Sequence, residues 1–422
     1  MADLPSRLLI AGASARAAAT LSGVEDLHTC DLFADHDLCQ VAKADRIPGS
    51  SFPHGFLDWA AQKQVADSCW MYTGGLENHP DLVNAISAHH ELLGCRGEVL
   101  AAVRDPLRMT DVINGARIDQ VKSPAVSLRP DLSPTSGGYS NRVVRKPRSS
   151  CGGLGILELV GQSPDSDAED QSYYYQEFVE GVPQAGLFLA NGEECRLLGV
   201  TRSWVNRHDV ASNCEQLFRY GGSLGPLDLH DPNSGVGGQL EGGTWLRLGE
   251  LLSKQFEMRG LFGVDAIVTR DGTIAPLEIN PRFTASMELL PPIEERTIVD
   301  WHIATCRTGA LPDQESCLRK SGQGRARSTM AGKGILYAPQ IAESAKPVEW
   351  NDQLRKRLAN VAATHDATLA DLPVDGVVIA GGSPMLTVLV HGDDPDKIRT
   401  RLSWSSGQLF ELIWKCVSSP RL

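Results

Sequence analysis

The chain has 422 residues, 42% of them hydrophobic and 22% charged, with 41 Gly and 24 Pro. At about 150 residues per domain this length predicts three domains and excludes both a small disulfide scaffold and a disordered polymer. Fifty-two acids against 40 Lys plus Arg leave a net charge of −12, which repels nucleic acid and anionic lipid, so neither is an expected partner. No apolar run approaches the ~20 residues needed to span a bilayer. The apolar patch Leu8 to Ala13 is followed at once by Arg16 and lacks a signal-peptide core, so a cytoplasmic protein is expected. The ten cysteines form no CxxC pair and no zinc-ligand spacing, which suits reduced structural thiols.

In chain order, Arg7 to Ala11, His28 to Phe33 and Cys69 to Tyr72 are predicted strands. Ala13 to Leu21, Pro53 to Ala66 and Asp81 to Leu93 are predicted helices between and after them, with Gly94 as the last helix stop. This βαβ rhythm predicts a parallel, doubly wound sheet. Gly12 follows the first strand, yet Ala13-Ser14-Ala15-Arg16-Ala17 does not complete GxGxxG, so a tight turn into a helix is expected there rather than a dinucleotide site. A helical stretch from Asp105 to Ile118 leads into a Pro/Ser-rich linker, Ser123 to Ser140. Beyond it, an α+β body is expected, with strands at Arg142 to Lys146 and Tyr173 to Val179 and an acidic insertion, Ser163 to Ser172, as a solvated tip. The polar, basic stretch Arg319 to Arg327 separates that body from a last unit with strands near Gly334 to Tyr337, Gly376 to Ile379 and Leu386 to Val390. The pairs Gly221-Gly222 and Gly242-Gly243 read as loop punctuation.

The segment Gly263 to Arg282, GVDAIVTRDGTIAPLEINPR, carries the most chemistry. Asp271-Gly272 is a strong two-residue turn signal between two alternating runs, and such a hairpin sets Asp265 opposite Glu278, with Asn280 on the same face. Val264, Ala266, Val268, Ala275, Leu277 and Ile279 then form the opposite, apolar face. Two carboxylates directly opposed destabilise a sheet unless something neutralises them. Either the hairpin holds a hard divalent cation such as Mg²⁺ on Asp265, Glu278 and the Asn280 amide, or it is a solvated acidic strand pair. Arg282 could hold a phosphoryl or carboxylate group beside that metal.

Upstream, strand Arg142 to Lys146 feeds the glycine-rich turn Cys151-Gly152-Gly153-Leu154-Gly155. Its backbone N–H groups could approach phosphate oxygens with Lys146 as a point charge, although a plain hairpin loop fits the same residues and no Walker A ending is present. Tyr173 to Gly181, YYYQEFVEG, could offer backbone edges to a purine or form a core strand with Glu177 and Glu180 solvated.

The glycine-rich lysine strand, the QEF-type hinge and the GxD…ExNPR hairpin, in that order, resemble the ATP-grasp enzymes over roughly residues 1 to 390. Together with Thr73-Gly74-Gly75-Leu76-Glu77-Asn78 they look most like the predicted ATP-dependent carboligases related to biotin carboxylase and the phosphoribosylaminoimidazole carboxylase ATPase subunit. The resemblance implies an α/β and α+β chain: an N-terminal doubly wound βαβ (pre-ATP-grasp) domain at 1-104, an ATP-grasp domain at 105-318 with a lid at about 141-180 and a metal-site hairpin at 263-282, and a small C-terminal domain at 328-422.

It further implies that Lys146 contacts ATP phosphates under the Cys151, Gly152 and Gly153 lid, that Gln176, Glu177 and Val179 meet adenine, and that Glu180 meets the ribose. Asp265, Glu278 and Asn280 would bind two Mg²⁺ ions, with Mn²⁺ as an alternative, and Arg282 would stabilise a phosphorylated intermediate. The implied activity is an ATP-dependent ligase that phosphorylates a carboxylate to an acyl phosphate, which an amine attacks to form a C–N bond, in cofactor biosynthesis. The alternatives are carboxylation through carboxyphosphate and a non-catalytic ATP-binding protein. A homodimer is implied by the same relatives. One departure stands out: the family's earlier lysine is missing, and Arg104 or Arg108 stands in that neighbourhood. Arg202, Arg207 and His208 lie where substrate-facing residues often fall, but their spacing assigns them no role.

Overall fold

The computed structural model describes residues 4–128, 142–159, 172–205, 217–229, 242–318, 330–338 and 348–418. The acidic insertion (except Ser172), the stretch Arg319 to Arg327, and Arg207 and His208 lie outside the described residues.

Strands β1 (Arg7–Ala11), β2 (Leu27–Asp31), β3 (Lys43–Arg46), β4 (Ser68–Tyr72) and β5 (Glu91–Leu92) form a five-stranded sheet in the order β3-β2-β1-β4-β5. Every pairing in it is parallel. The central strands are apolar on both faces, as burial beneath two helical layers requires: Leu9 packs with Phe56, Trp70 and Val83 on one side, Leu8 and Ile10 with Ala18 and Met71 on the other. The turns leaving the carboxyl ends of β1, β2 and β4 all open toward one cleft, the usual ligand side of such a sheet.

Several expected boundaries move. The helix expected to reach Leu93 spans only Pro80–Ser87, because Glu91 and Leu92 pair with Cys69 and Trp70 as an edge strand; Gly94 therefore follows a strand and stops no helix. The other two helices shorten to Arg16–Thr20 and Gly55–Ala61, and β3 was not expected. The expected linker Ser123 to Ser140 carries a short strand, β6 (Val126–Ser127), and from residue 129 onward it lies outside the described residues.

The small sheet β6-β9-β7-β8 contains β7 (Val143–Pro147), β8 (Leu157–Leu159) and β9 (Tyr173–Glu177). The large antiparallel sheet is built from β10 (Val182–Asn191), β11 (Cys195–Trp204), β12 (Gly222–Gly225), β13 (Arg259–Val268), β14 (Ile274–Asn280), β15 (Met330–Tyr337), β16 (Ala367–Ala370) and β17 (Pro384–Gly392). Its order is β14-β13-β10-β11-β12-β15-β17-β16, so the C-terminal strands continue the same hydrogen-bonded sheet through β12 and β15 while keeping a core of their own around Leu358, Val388 and Leu402.

Gly242-Gly243 is not loop punctuation but opens helix Gly242–Phe256, whose Trp245, Leu248, Leu252 and Phe256 recur at helical spacing and bury against the large sheet. Gly222 lies within β12 at a positive φ of 142°, where a Cβ would fall 1.9 Å from the Lys333 carbonyl oxygen; only glycine lets the two strands meet there. The expected strand Gly376 to Ile379 is a turn and irregular segment along the cleft wall.

Candidate active site

The hairpin expected to hold a metal is β13 and β14, and its turn is one residue longer than expected. Thr269 N–H bonds the Thr273 carbonyl oxygen, leaving Arg270, Asp271 and Gly272 as the loop, with Ala266 opposite Pro276 and Val268 opposite Ile274. That shift alone would carry Asp265 off the face of Glu278. A β-bulge at Leu277 absorbs the extra residue, and beyond it Asp265 faces Glu278 and Gly263 faces Asn280. The acidic pairing therefore stands, by two compensating irregularities. The apolar face differs from expectation accordingly. Val264, Ala266, Val268, Ile274 and Ile279 enter the core, whereas Ala275 pairs with Ile267 on the opposite face and Leu277 lines the cleft beside Glu278.

The cleft is a cavity of about 910 Å³ lined by residues from Ala13 near the start of the chain to Thr387 in β17. Lys146, Cys151, Gly152, Gly153, Gln176, Glu177, Val179, Glu180, Asp265, Glu278, Asn280 and Arg282 all line it. Asn280 Nδ2 donates to Asp265 Oδ2 at 2.8 Å, and Arg282 donates to Asn280 Oδ1 at 3.1 Å. Arg282 is seated from behind by Glu77, whose carboxylate accepts from Nε at 2.7 Å and has a side chain with no exposed surface. Lys146 Nζ donates to Gln176 Oε1 at 3.2 Å, and Gln176 Nε2 donates to the Leu277 carbonyl at 3.4 Å, tying the lysine strand to the bulge.

Burial and the adjacent Glu278 charge push the Asp265 carboxyl up to about 6. Burial also disfavours the Glu278 charge, but Arg104 and Lys146 outweigh it and hold that carboxyl below its ordinary value. Lys146 and Arg282 are buried cations, and they stay charged because Tyr174 with Glu278, and Glu77, respectively oppose the cost of burial. Two opposed carboxylates, one of them left poorly neutralised, plus an amide make a hard-oxygen donor set suited to Mg²⁺.

The two candidate arginines separate cleanly. Arg104 forms an ion pair with Glu278 and donates to Asn78 Oδ1 at 3.0 Å, whereas Arg108 lies over the Phe256 ring at 5.4 Å from its centroid. The turn expected to form a lid uses positive φ at Gly152, Gly153 and Gly155 and lies against Phe218 to Tyr220. Tyr220 N–H bonds the Gly152 carbonyl at 3.1 Å, and a Cβ on Gly153 would stand 1.8 Å from the Phe218 carbonyl oxygen. At the hinge, the Glu177 and Phe178 N–H groups bond Ala125 and Arg142 carbonyls. Gln176 and Glu177 are buried, and Glu180 is exposed and paired with Arg142 at 3.1 Å.

Sequence reasoning missed Glu77, quoted only as part of the leading domain, and the group Arg16, Glu288, Lys333 and Asp371. Lys333 Nζ donates to Glu288 Oε2 at 2.7 Å, and Arg16 bonds both Asp371 and Glu288. These four come from four distant segments, so no local pattern could reveal them. Arg202 lines the cleft.

Residues 116–286 match the family model described as an ATP-grasp domain. The structure of N5-carboxyaminoimidazole ribonucleotide synthetase in complex with ADP is 15% identical, with a TM-score of 0.65 and 99% of each chain covered. Biotin carboxylase from Campylobacter jejuni is 14% identical with a TM-score of 0.63, covering 97% of this chain and 96% of its own. L-amino acid ligase from Bacillus licheniformis is 15% identical with a TM-score of 0.60, covering 96% of each. A search of curated proteins gives no significant sequence match. The protein has the ATP-grasp fold, with a parallel-sheet N-terminal part.

Proposed function

We propose that the protein is a Mg·ATP-dependent ligase that phosphorylates a carboxylate and passes the acyl group to an amine, forming a C–N bond. The observation that carries this is the convergence of Asp265, Glu278 and Asn280 with Lys146, Arg104 and Arg282 on one cleft of an ATP-grasp fold. The solved structures above include an ADP complex and an amino acid ligase, which supports nucleotide use and ligation.

In this mechanism ATP lies under the Cys151–Gly155 turn, its base against the Gln176 to Val179 hinge and its ribose near Glu180. Lys146 binds phosphate oxygens as a buried point charge, and Arg104 supplies the second cation in place of the family's earlier lysine. Asp265, Glu278 and Asn280 would hold Mg²⁺, two ions in the fullest arrangement and Mn²⁺ in substitution; the metal would neutralise charge on the phosphates. Ligation by Asn280 requires its amide to turn, because its nitrogen now faces Asp265 and its oxygen Arg282. A substrate carboxylate oxygen attacks the γ-phosphorus and ADP leaves. Arg282, braced by Glu77, holds the resulting acyl phosphate. The amine nitrogen then attacks the acyl carbon, phosphate departs and the nitrogen loses a proton.

The description extends to a cytoplasmic homodimer with small-molecule substrates; no helix among the described residues is long and apolar enough to cross a membrane. The test is Mg-dependent ADP production over paired carboxylates and amines, with Glu278→Gln expected to lose at least 100-fold in kcat, on the order of a lost transition-state charge contact. ADP release stimulated by bicarbonate alone would instead favour carboxylation. Near-normal turnover by Glu278→Gln would refute the site.

A further inference from the structure

One wall of the cleft is built from the loop after β2 and the segment that precedes β17. The two are stitched together: Asp37 accepts from the Asp371 and Leu372 N–H groups at 3.0 and 2.9 Å, and His36 N–H bonds the Leu372 carbonyl at 2.7 Å. Five carboxyl groups gather here, Asp31, Asp35, Asp37, Glu288 and Asp371, around Arg16 and Lys333, and the exposed Arg46, which donates to the Leu32 carbonyl at 3.0 Å, lines the same cavity.

Four of the five acids are satisfied. Asp31 accepts from the Ala15, Phe33 and Ala34 N–H groups, Asp37 from those of Asp371 and Leu372, Asp371 from Arg16 at 2.8 and 3.0 Å, and Glu288 from Arg16 and Lys333. Asp35 is the exception. It is 5% exposed and lines the cavity, and its carboxyl has no hydrogen bond among the described residues.

Arg16 and Lys333 are already committed to Glu288 and Asp371, so among the described residues acids outnumber cations on this wall and the Asp35 carboxyl has nothing to bind. A buried carboxyl without a partner costs free energy that a cationic ligand can offset. A carboxylate placed beside Asp35 would meet Asp371, Asp31 and Asp37, so an anion is disfavoured at that point. These two segments and the start of β17 also give the cavity apolar lining, in Phe33, Val374, Val377, Ile379 and Met385.

We infer that this wall is the amine subsite: Asp35 takes the ammonium of a primary amine that has an apolar body and no carboxylate of its own. This assignment rests on the ligase function proposed above and specifies its second substrate. Burial together with Asp371, Asp31 and Asp37 pushes the Asp35 carboxyl up to about 9, so without a ligand it is neutral and an ammonium would draw it into the charged form.

The test is isothermal titration of the full-length protein, with Mg²⁺ and a non-hydrolysable ATP analogue present. The probes are hexylamine and 2-phenylethylamine, with phenylalanine and hexanoate as comparators. The two amines should bind, phenylalanine at least tenfold more weakly and hexanoate not detectably. Asp35→Asn should weaken amine binding at least about 50-fold, the scale of a buried charge left unpaired. Its thermal midpoint without ligand should stay close to the parent's, since a neutral amide replaces a carboxyl that is itself neutral there. The amine preference of the parent protein tests the idea even if the variant misfolds. Equal binding by a folded Asp35→Asn, a preference for phenylalanine or hexanoate, or no measurable amine binding would overturn the assignment.

Trapping with hydroxylamine over a carboxylate panel separates the two levels. Hydroxamate formed without amine binding keeps the ligase and removes the subsite. Amine binding without hydroxamate from any carboxylate keeps the subsite and counts against the acyl phosphate.

Discussion

Arg282 offers the sharpest test of how the site is held together, because its orientation depends on a residue that faces away from the cleft. Glu77 has a side chain with no exposed surface and gives Arg282 its 2.7 Å carboxylate contact, while its second oxygen has no partner among the described residues. Glu77→Gln keeps the shape and removes the charge. Arg282 then remains buried, with only the Phe283 carbonyl and the Asn280 amide at 3.1 Å to satisfy it. Breaking a buried pair by removing one partner typically costs about 3–5 kcal/mol, and since the amide retains one hydrogen bond the lower end, about 3 kcal/mol, is expected here. The guanidinium should also swing toward Asp265 and Glu278, into the space a cation needs, so kcat for Mg·ATP-dependent ADP formation should fall at least tenfold. The assay is a double-mutant cycle with Arg282→Met, read by urea unfolding and by turnover. The double variant should be more stable than the sum of the single losses predicts, with a coupling of about 1.5 kcal/mol or more. A Glu77→Gln protein within about 0.5 kcal/mol of the parent and with unchanged kcat would refute the bracing role.

Three further outcomes are expected. Arg104→Ala should raise the KM for ATP about tenfold or more and Arg104→Lys less, since one ammonium cannot serve Glu278 and Asn78 as the guanidinium does; Arg108→Ala should leave KM within twofold. An unchanged KM in Arg104→Ala takes that residue out of the phosphate path. Gly153→Ala places a Cβ against the Phe218 carbonyl at a left-handed φ of 78°, so the lid should fail to seat and KM for ATP should rise about 5–30-fold with the unfolding midpoint little changed; the kinetics and a urea titration check this together. His302 is buried and neutral, accepting from Leu261 N–H at Nδ1 and meeting the Leu93 carbonyl through Nε2, and burial lowers its pKa to about 4. The unfolded chain thus binds a proton that the folded one refuses, so stability should fall as pH drops from 6.5 toward 4, by up to about 3 kcal/mol from this group. A His302→Gln protein whose stability falls equally steeply over that window would show that other groups carry the loss.

The site was legible in the sequence where its parts are local. Asp265, Glu278 and Asn280 share one hairpin, so strand alternation brings them together even though the turn is a residue longer than Asp271-Gly272 signals and a bulge at Leu277 restores the register; Lys146 and the glycine turn sit on consecutive segments. What escaped depends on contacts between distant segments. Glu91 and Leu92 extend the first sheet only because Cys69 and Trp70 lie alongside, and no periodicity in a helical-looking run announces that. Arg104, which caps helix Gly97–Val103, and Arg108, in helix Pro106–Ala116, are four residues apart, and only packing shows that one reaches Glu278 and the other Phe256. Arg16, Glu288, Lys333 and Asp371 are unremarkable where they stand in the chain, and their charges acquire meaning only when three parts of the protein meet.

The hairpin's two irregularities bear on how this site can change over generations. The alignment of two acids depends on the parity of the chain between them, and one surplus residue in the reversal is cancelled by one surplus residue at Leu277. A single deletion at either place would rotate Glu278 out of the cleft, although the loop does not line the cleft and Leu277 brings no charged group to it. Lengths at the two places must therefore change together or not at all, which makes the tip, outwardly a tolerant surface loop, as constrained as the acids themselves.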